Sequence, residues 1–386
     1  MIDPTSLTFL IAVILIALAF DFANGFNDAA NAIATVVSTR VMSPLVAVTM
    51  AGGMNFLGAL SGTAVAKAVG KGVVDPDSVT MVVVMGGVAA AATWVFLASR
   101  MGLPVSGSHS LIAGVAGAGI AHHGGPGVLV GSGILKIVLG LAFSPLLGLT
   151  GGFAIMLTIY WVFRHVSPAM VTAIFSKLQI VTAAAMAFSH GSNDAQKTMG
   201  IITLALFVSG AYNLETFEIP FWVILLSASV MALGTYFGGA RVIRTLGVRI
   251  ITMRPVHGFA AESAAATVIE VATRIGIPVS TTHVITSTIL GMGSTRRLSA
   301  VRWGVARGIV YAWVLTFPMC GVLGAGLYVL VNLADRKSTR LNSSHKPISS
   351  AVFCWKKKNS NTGTARKADS VWTAVDWCAR AVRAAT

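Results

Sequence analysis

The chain has 386 residues, of which 55% are hydrophobic and only 11% charged, with a mean hydropathy of +0.79. A soluble domain carries about 25% charged residues, so this composition excludes a soluble enzyme, a nucleic-acid reader and a disordered protein. The formal net charge of +15 is uneven: residues 1–334 hold 17 Lys and Arg against 10 Asp and Glu, a net +7, while 335–386 hold 11 against 3, a net +8.

Apolar segments run at 5–24, 43–66, 78–99, 105–121, 128–163, 172–189, 194–209, 220–239, 256–273, 279–293 and 303–331. A bilayer crossing takes roughly 20 apolar residues, so there is room for about ten to twelve membrane segments in an all-α polytopic membrane protein. The first run follows Met1-Ile-Asp-Pro-Thr-Ser, which lacks the basic region of a cleavable signal and predicts a retained helix. The 128–163 run is too long for one span and predicts two, bent near Ser144-Pro145. Several others are short and bounded by Gly, Pro, Ser or Asn, the pattern of broken or re-entrant helices. From Asp335 the composition turns polar and basic without helical period; the tail 335–386 reads as non-native, resembling frameshifted or adapter sequence, with a native polar tail as the other reading. The three cysteines, Cys320, Cys354 and Cys378, support neither a disulfide framework nor a metal cluster.

Two motifs recur in the same order. Phe22-Ala-Asn-Gly-Phe-Asn-Asp-Ala29 returns as Phe188-Ser-His-Gly-Ser-Asn-Asp-Ala195, at an offset of 166. Arg100-Met-Gly-Leu-Pro-Val-Ser-Gly-Ser-His109 returns as Arg274-Ile-Gly-Ile-Pro-Val-Ser-Thr-Thr-His283, at an offset of 174 that also matches Gly117 and Gly119 to Gly291 and Gly293. The chain therefore reads as a first membrane repeat at 5–121, connecting membrane segments at 122–171, a second repeat at 172–293 and a C-terminal membrane helix at 294–334. Loop charge predicts that the repeats are inverted. Arg241, Arg244, Arg249 and Arg254 make one second-half loop basic and so cytoplasmic, whereas Lys67 and Lys71 are balanced by Asp75 and Asp77 in its first-half counterpart. Arg296, Arg297, Arg302 and Arg307 form a second basic cluster expected on the same side as the first.

The recurring motifs carry the chemistry. A carboxylate at mid-membrane costs about 2.5–3.5 kcal/mol on insertion scales and is normally functional. Asp28 and Asp194 therefore read as cation-handling groups, ligating Na⁺ or carrying a proton, with helix capping as the plainer alternative. Asn27 and Asn193 add amides able to ligate a cation or donate to an anion. Gly25 and Gly191 are expected to break the helix beside the ligand. Pro104 and Pro278 suit a first helical turn, which would place Ser106, Ser108, Ser280, Thr281 and Thr282 beside free N–H groups at a positive dipole end. Two such ends converging from inverted halves make an anion cradle; ordinary capping and helix packing by small residues is the rival reading.

Glu262, whose counterpart is Val88, is a candidate second cation site. Further candidates are Asn31, Lys197, which occupies the place of Asn31 and could pair with Asp194 or contact the anion, and the matched His109 and His283. His190 falls in the second signature only, where the first has Asn24; His122 and His123 read as loop residues. Acids beside anion donors favour an oxyanion that still carries a proton, such as phosphate, over sulfate. A channel is disfavoured by the buried acids, and an intramembrane hydrolase at Ser106 or Ser280 lacks a nucleophile elbow.

Gly25-Phe-Asn-Asp-Ala-Ala-Asn-Ala32 and His190-Gly-Ser-Asn-Asp-Ala-Gln-Lys-Thr-Met-Gly200, with the two Pro-Val-Ser stretches, resemble the paired signatures of the inorganic phosphate transporter family over about residues 5–332. The resemblance implies a multi-pass cell-membrane protein, not an enzyme, importing phosphate by Na⁺ or H⁺ symport through alternating access. It implies no cofactor beyond the coupling ion, no nucleic-acid partner, and a homodimer as one possible assembly. It places phosphate and cation contacts on Asn27, Asp28, Asn193, Asp194, Ser106, Ser108, Ser280, Thr281 and Thr282. A sulfate or other oxyanion permease of the same fold is the alternative. The mostly apolar 122–171 stretch replaces the long hydrophilic loop of animal members, giving a compact, prokaryote-like form.

Overall fold

In hydrocarbon each backbone N–H and C=O must find a partner within its own segment, and the apolar runs accordingly fold as helices. The computed structural model describes residues 7–210, 217–238 and 240–360. The first six α-helices are α1 (Leu7–Ser38), α2 (Pro44–Ala59), α3 (Ala64–Gly72), α4 (Met81–Met101), α5 (Gly107–His123) and α6 (Gly131–Val162). Six more follow: α7 (Pro168–Val208), α8 (Phe221–Phe237), α9 (Ala240–Arg244), which runs into a π-turn at Thr245–Arg249, α10 (Pro255–Arg274), α11 (Thr281–Ser294) and α12 (Trp303–Ser360). Among the described residues no β-strand forms; an isolated bridge joins Val74 to Leu129.

Five helices are long and apolar enough to cross a bilayer: α1, α4, α6, α7 and the Trp303–Ala334 part of α12. The bent pairs α2–α3, at 72°, and α8–α9, at 61°, raise the number to seven if each is one span. α5 has 17 residues and α11 has 14, too short to cross. They are broken-helix elements whose N-termini start inside the protein. Two expectations change. The 128–163 run is one helix, α6, with Pro145 inside it. The 172–189 and 194–209 runs merge into the 41-residue α7, because the polar signature between them finds partners on α1 and stays helical.

Ile2–Leu333 forms one compact unit and Ala334–Thr386 belongs to another. The backbone is helical to Ser360 although the tail has no helical period, and no Gly or Pro interrupts 327–346. Residues 361–386 of the tail read as non-native lie outside the described residues.

The repeated motifs fall on α1 and α7 and at the N-termini of α5 and α11. The equivalent helices α1 and α7 lie side by side with partners rising in number on one and falling on the other. Asp21 meets Thr198, Asn24 meets Asp194, Asp28 meets His190, and Thr39 meets Gln179. The two therefore run antiparallel, as halves of opposite topology require. The second basic cluster also meets the first: Arg302 donates its backbone N–H to Ile250 O at 3.0 Å and its side chain to Val248 O and Arg249 O.

The halves interlock. A Cβ on Gly25 would lie 2.6 Å from Met231 O of α8, and one on Gly191 would lie 2.1 Å from Asn55 O of α2. These glycines were expected to break their helices; instead both helices run through and the glycines allow backbones to touch. The matched Gly117 and Gly291 do the same for α5 on α12, against Gly321 O, and for α11 on α6, against Leu149 O.

Gly191→Val is expected to destabilise the fold by about 1–3 kcal/mol or more through overpacking. Gly53→Val, where a Cβ meets nothing within 4 Å, should leave it intact. Monodisperse yield and thermal unfolding of the two purified variants check this.

Candidate functional site

The N-termini of α5 and α11 meet the middles of α1 and α7. Ser106 and Ser280 are the N-caps: Ser106 Oγ accepts from His109 N at 3.1 Å and Ser280 Oγ from His283 N at 3.2 Å. Pro104 and Pro278 therefore precede the caps by two residues and do not enter the first turn, which corrects that expectation. The two ends are tied reciprocally. Ser108 Oγ donates to Val279 O at 3.0 Å, and its counterpart Thr282 Oγ1 lies 3.2 Å from Val105 O, its one proton shared between that carbonyl and Asp28 Oδ1.

Against these ends stand acids that expose no more than 1% of their surface: Asp28 and Asp194, with Asp21 and Glu262 further along the seam. Lys197 is the buried Lys or Arg among the described residues. Its ammonium donates to Asp194 Oδ1, to Ser108 Oγ at 2.5 Å and to Val279 O at 3.0 Å, which uses all three N–H groups. Of its two sequence readings, the geometry here is the ion pair with Asp194.

Asp28 Oδ2, Asp194 Oδ2 and His190 Nε2 converge. The imidazole nitrogen lies 3.6 Å from Asp28 and 3.7 Å from Asp194, and the ligand atoms of the three side chains fall within 4.8 Å of one another. His190 Nδ1 lies 3.0 Å from Asn55 Oδ1, whose own amide nitrogen donates to Thr235 Oγ1 at 2.7 Å. Nδ1 thus donates to Asn55, and Nε2 has no hydrogen-bond partner. Thr281 Oγ1 sits 3.4 Å from Asp28 Oδ2 and 3.3 Å from Asp194 Oδ2, with one proton to share between them. Two carboxylate oxygens and an imidazole nitrogen thus meet around one shared hydroxyl proton and the amide of Asn24. The oxygens suit a hard cation such as Na⁺, and a proton on His190 would also relieve the mismatch.

The remaining predicted residues divide. Asn27 Nδ2 donates to Asp28 Oδ1 at 2.9 Å and to Val105 O at 3.1 Å, and its Oδ1 accepts from Ser99. Asn31 Nδ2 reaches Thr282 Oγ1 at 3.0 Å, and Thr282 donates to Asp28 Oδ1 at 2.9 Å. Asn193 turns the other way: its Nδ2 donates to Thr273 Oγ1 at 2.8 Å, mirroring Asn27 with Ser99. Glu262 accepts from Thr35, from Thr182 at 2.5 Å and from Gln179 at 3.4 Å, a separate neutral cage. His109 and His283 hold each other, with ring centroids 4.5 Å apart, and His283 stacks on Trp313. They open on a cavity of about 440 Å³ whose other walls come from α6 and α12 and are apolar.

Sequence reading missed Asp21, Asn24 and the cluster role of His190. Asn24 Nδ2 donates to Asp194 Oδ2 at 3.0 Å, in the place where His190 meets Asp28. The available signal was spacing: positions 21, 24, 28, 31 and 35 are polar at intervals of three and four in an apolar helix.

A model of the phosphate transporter family matches residues 24–324. A probable low-affinity inorganic phosphate transporter of Rhizobium meliloti is 44% identical over 325 residues, covering 84% of this chain and 97% of that protein. One of Bacillus subtilis is 42% identical with the same coverage. Among solved structures, a sodium-dependent phosphate transporter superposes with a TM-score of 0.77 at 27% identity, over 85% of this chain and 100% of that one.

Removing one member of the buried ion pair should be severe. Lys197→Met is expected to destabilise the protein by about 3–5 kcal/mol, since Asp194 is left uncompensated. Adding Asp194→Asn should recover most of that loss in thermal unfolding.

Proposed function

The chain belongs to the phosphate transporter family, and on that premise we propose that it imports inorganic phosphate across a cell membrane by symport with Na⁺, through alternating access. One observation carries the coupling: Asp28, Asp194 and His190 converge at mid-protein, two carboxylates meeting there with only the neutral donors Thr281 and Asn24 on the facing oxygens. A cation placed there supplies the missing positive charge. The sodium-dependent name of the similar solved structure supports Na⁺ as that cation.

Phosphate then fits the donors that surround these acids. Two helix N-termini, each equivalent to roughly +0.5 charge, converge from α5 and α11. Ser108, Thr281 and Thr282 supply hydroxyls and Asn27 and Asn31 supply amides, each on leaving its present acceptor, while Lys197, its three N–H groups taken, supplies charge. Ser106 and Ser280 keep the half-helix ends aligned through their caps. Asn193 reaches the anion only by leaving Thr273. Hydrogen phosphate also brings a proton to donate to a carboxylate, which sulfate at neutral pH lacks.

The reciprocal bonds from Ser108 to Val279 O and from Thr282 to Val105 O close the two ends over the site. In alternating access these bonds exchange for phosphate oxygens, one half moving while the other holds. Inverted halves make the inward and outward openings structurally similar, since each is formed by the same helices of opposite repeats. Lipid contact falls on α6 and the first part of α12, which present Leu, Val, Phe and Trp side chains outward.

The test is uptake of ³²P-phosphate into proteoliposomes under a Na⁺ gradient, a proton gradient or neither. Accumulation is expected under the Na⁺ gradient alone, unaffected by excess sulfate. Asp28→Asn, and Asp194→Asn combined with Lys197→Met so that no buried charge is left unpaired, should insert yet lose that accumulation. Wild-type uptake in either variant would remove the acids from the mechanism, and accumulation driven only by protons would refute Na⁺ coupling.

A further inference from the structure

The segment after α9 and the turn after α11 meet at one end of the helical body, where Arg302 N donates to Ile250 O at 3.0 Å. Between them and the last turn of α6 lies a cavity of about 270 Å³. Its polar lining is Tyr160, Thr252, His257, Arg296, Arg297 and Ser299. The stretches that supply these walls hold no acid: there is no Asp or Glu in 131–193, 240–261 or 271–334.

The donors here are unspent. Arg296 and Arg297 are exposed, and neither guanidinium makes an ion pair or hydrogen bond among the described residues. His257 is only 8% exposed, and its Nδ1 lies 3.2 Å from the backbone nitrogen of Arg254. A backbone N–H can only donate, so Nδ1 is the acceptor and Nε2 carries the ring proton. No acceptor among the described residues takes that proton.

Aromatic side chains set the depth. Tyr160 and Trp161 lie in the last turn of α6 and Trp303 opens α12, and all three are exposed. Trp303 donates its indole N–H to Leu298 O at 2.8 Å, beside Arg297. Trp and Tyr gather where membrane meets water, and arginine-rich loops mark the cytoplasmic side. The cavity therefore opens among head groups of the cytoplasmic leaflet.

We propose that this cavity holds the phosphate of an anionic phospholipid, with Arg296 and Arg297 on its oxygens and His257 Nε2–H donating from the wall. The guanidinium fork matches phosphate oxygens two at a time, and basic pockets between membrane helices on the cytoplasmic side suit such head groups. Inorganic phosphate meets the same donors, but the bilayer holds lipid phosphate at this depth and at high local concentration. A bound head group joins the ends of α6, α10 and α11, and the other end of α11 stands at the central acids. No residue of the central site takes part, so this lipid site stands or falls apart from the transport reading.

The test titrates purified full-length protein in neutral detergent with dioleoylphosphatidylglycerol and counts bound lipid by native mass spectrometry. Wild type is compared with the double variant Arg296→Gln, Arg297→Gln. A second double variant, Arg244→Gln, Arg249→Gln, removes the same charge from exposed arginines of the same basic end outside the cavity. The cavity pair is expected to raise the half-saturating lipid concentration about tenfold or more, and the other pair less than about threefold. Dioleoylphosphatidylcholine, which carries phosphate without net charge, should bind weakly, and excess inorganic phosphate should not displace the bound lipid. Equal weakening in the two double variants would reduce the effect to diffuse surface attraction and overturn the proposal. Equal binding of the two lipids would also overturn it, as would displacement by inorganic phosphate, which would assign the cavity to the free anion.

Discussion

The arrangement depends on an imbalance of buried charge. Asp21, Asp28, Asp194 and Glu262 lie in the interior of the helical body, against Lys197 as the buried Lys or Arg among the described residues. Lys197 is committed to Asp194, and Glu262 is held only by neutral donors. An ionised acid in hydrocarbon costs several kcal/mol unless compensated, and a dianion brought to this set makes the deficit worse. In the symport proposed above, positive charge enters with the anion. Coupling would then follow from composition at the site, before any motion is considered.

The inverted repeat places that charge. Because α1 and α7 are equivalent and antiparallel, one motif delivers Asp28 to His190 and the other delivers Asp194 to Asn24, across a single seam. The departures from symmetry at the seam are where the chemistry differs. His190 stands for Asn24, Lys197 for Asn31, and Thr281 for Gly107. A Cβ on Gly107 would fall 1.8 Å from Asn24 Oδ1, so the first half needs glycine where the second carries a hydroxyl shared by two carboxylates. The duplicated frame supplies two half-helix ends, and these three exchanges make the two halves of the site chemically different, each of the three placing its side chain against the acids.

Much of this was legible in the sequence, because both motifs repeat in order and combine residue types that are costly in a membrane. The acids, the Ser and Thr ends and the opposite sidedness of the halves follow from those features. What was not legible depends on partners contributed by other elements. Nothing near Asn193 says that Thr273 will take its amide, and nothing near Lys197 names Ser108 and Val279 as its other acceptors. Gly25 and Gly191 resembled helix breakers, yet their function is set by the backbone of α8 and α2 passing over them. Asp21 was overlooked because it closes an apolar run and lies outside the repeated signature, although its spacing to Asn24 and Asp28 already placed it on their face.

The most direct measurement of obligatory coupling is phosphate binding to the purified protein by calorimetry, at fixed ionic strength, as choline is replaced by Na⁺. A charge deficit at the site predicts that phosphate binds weakly without Na⁺ and that its affinity rises steadily as Na⁺ is added. Equal phosphate affinity in choline and in Na⁺, across neutral to alkaline pH, would contradict the account, because the buried acids would then accept the anion without compensating charge.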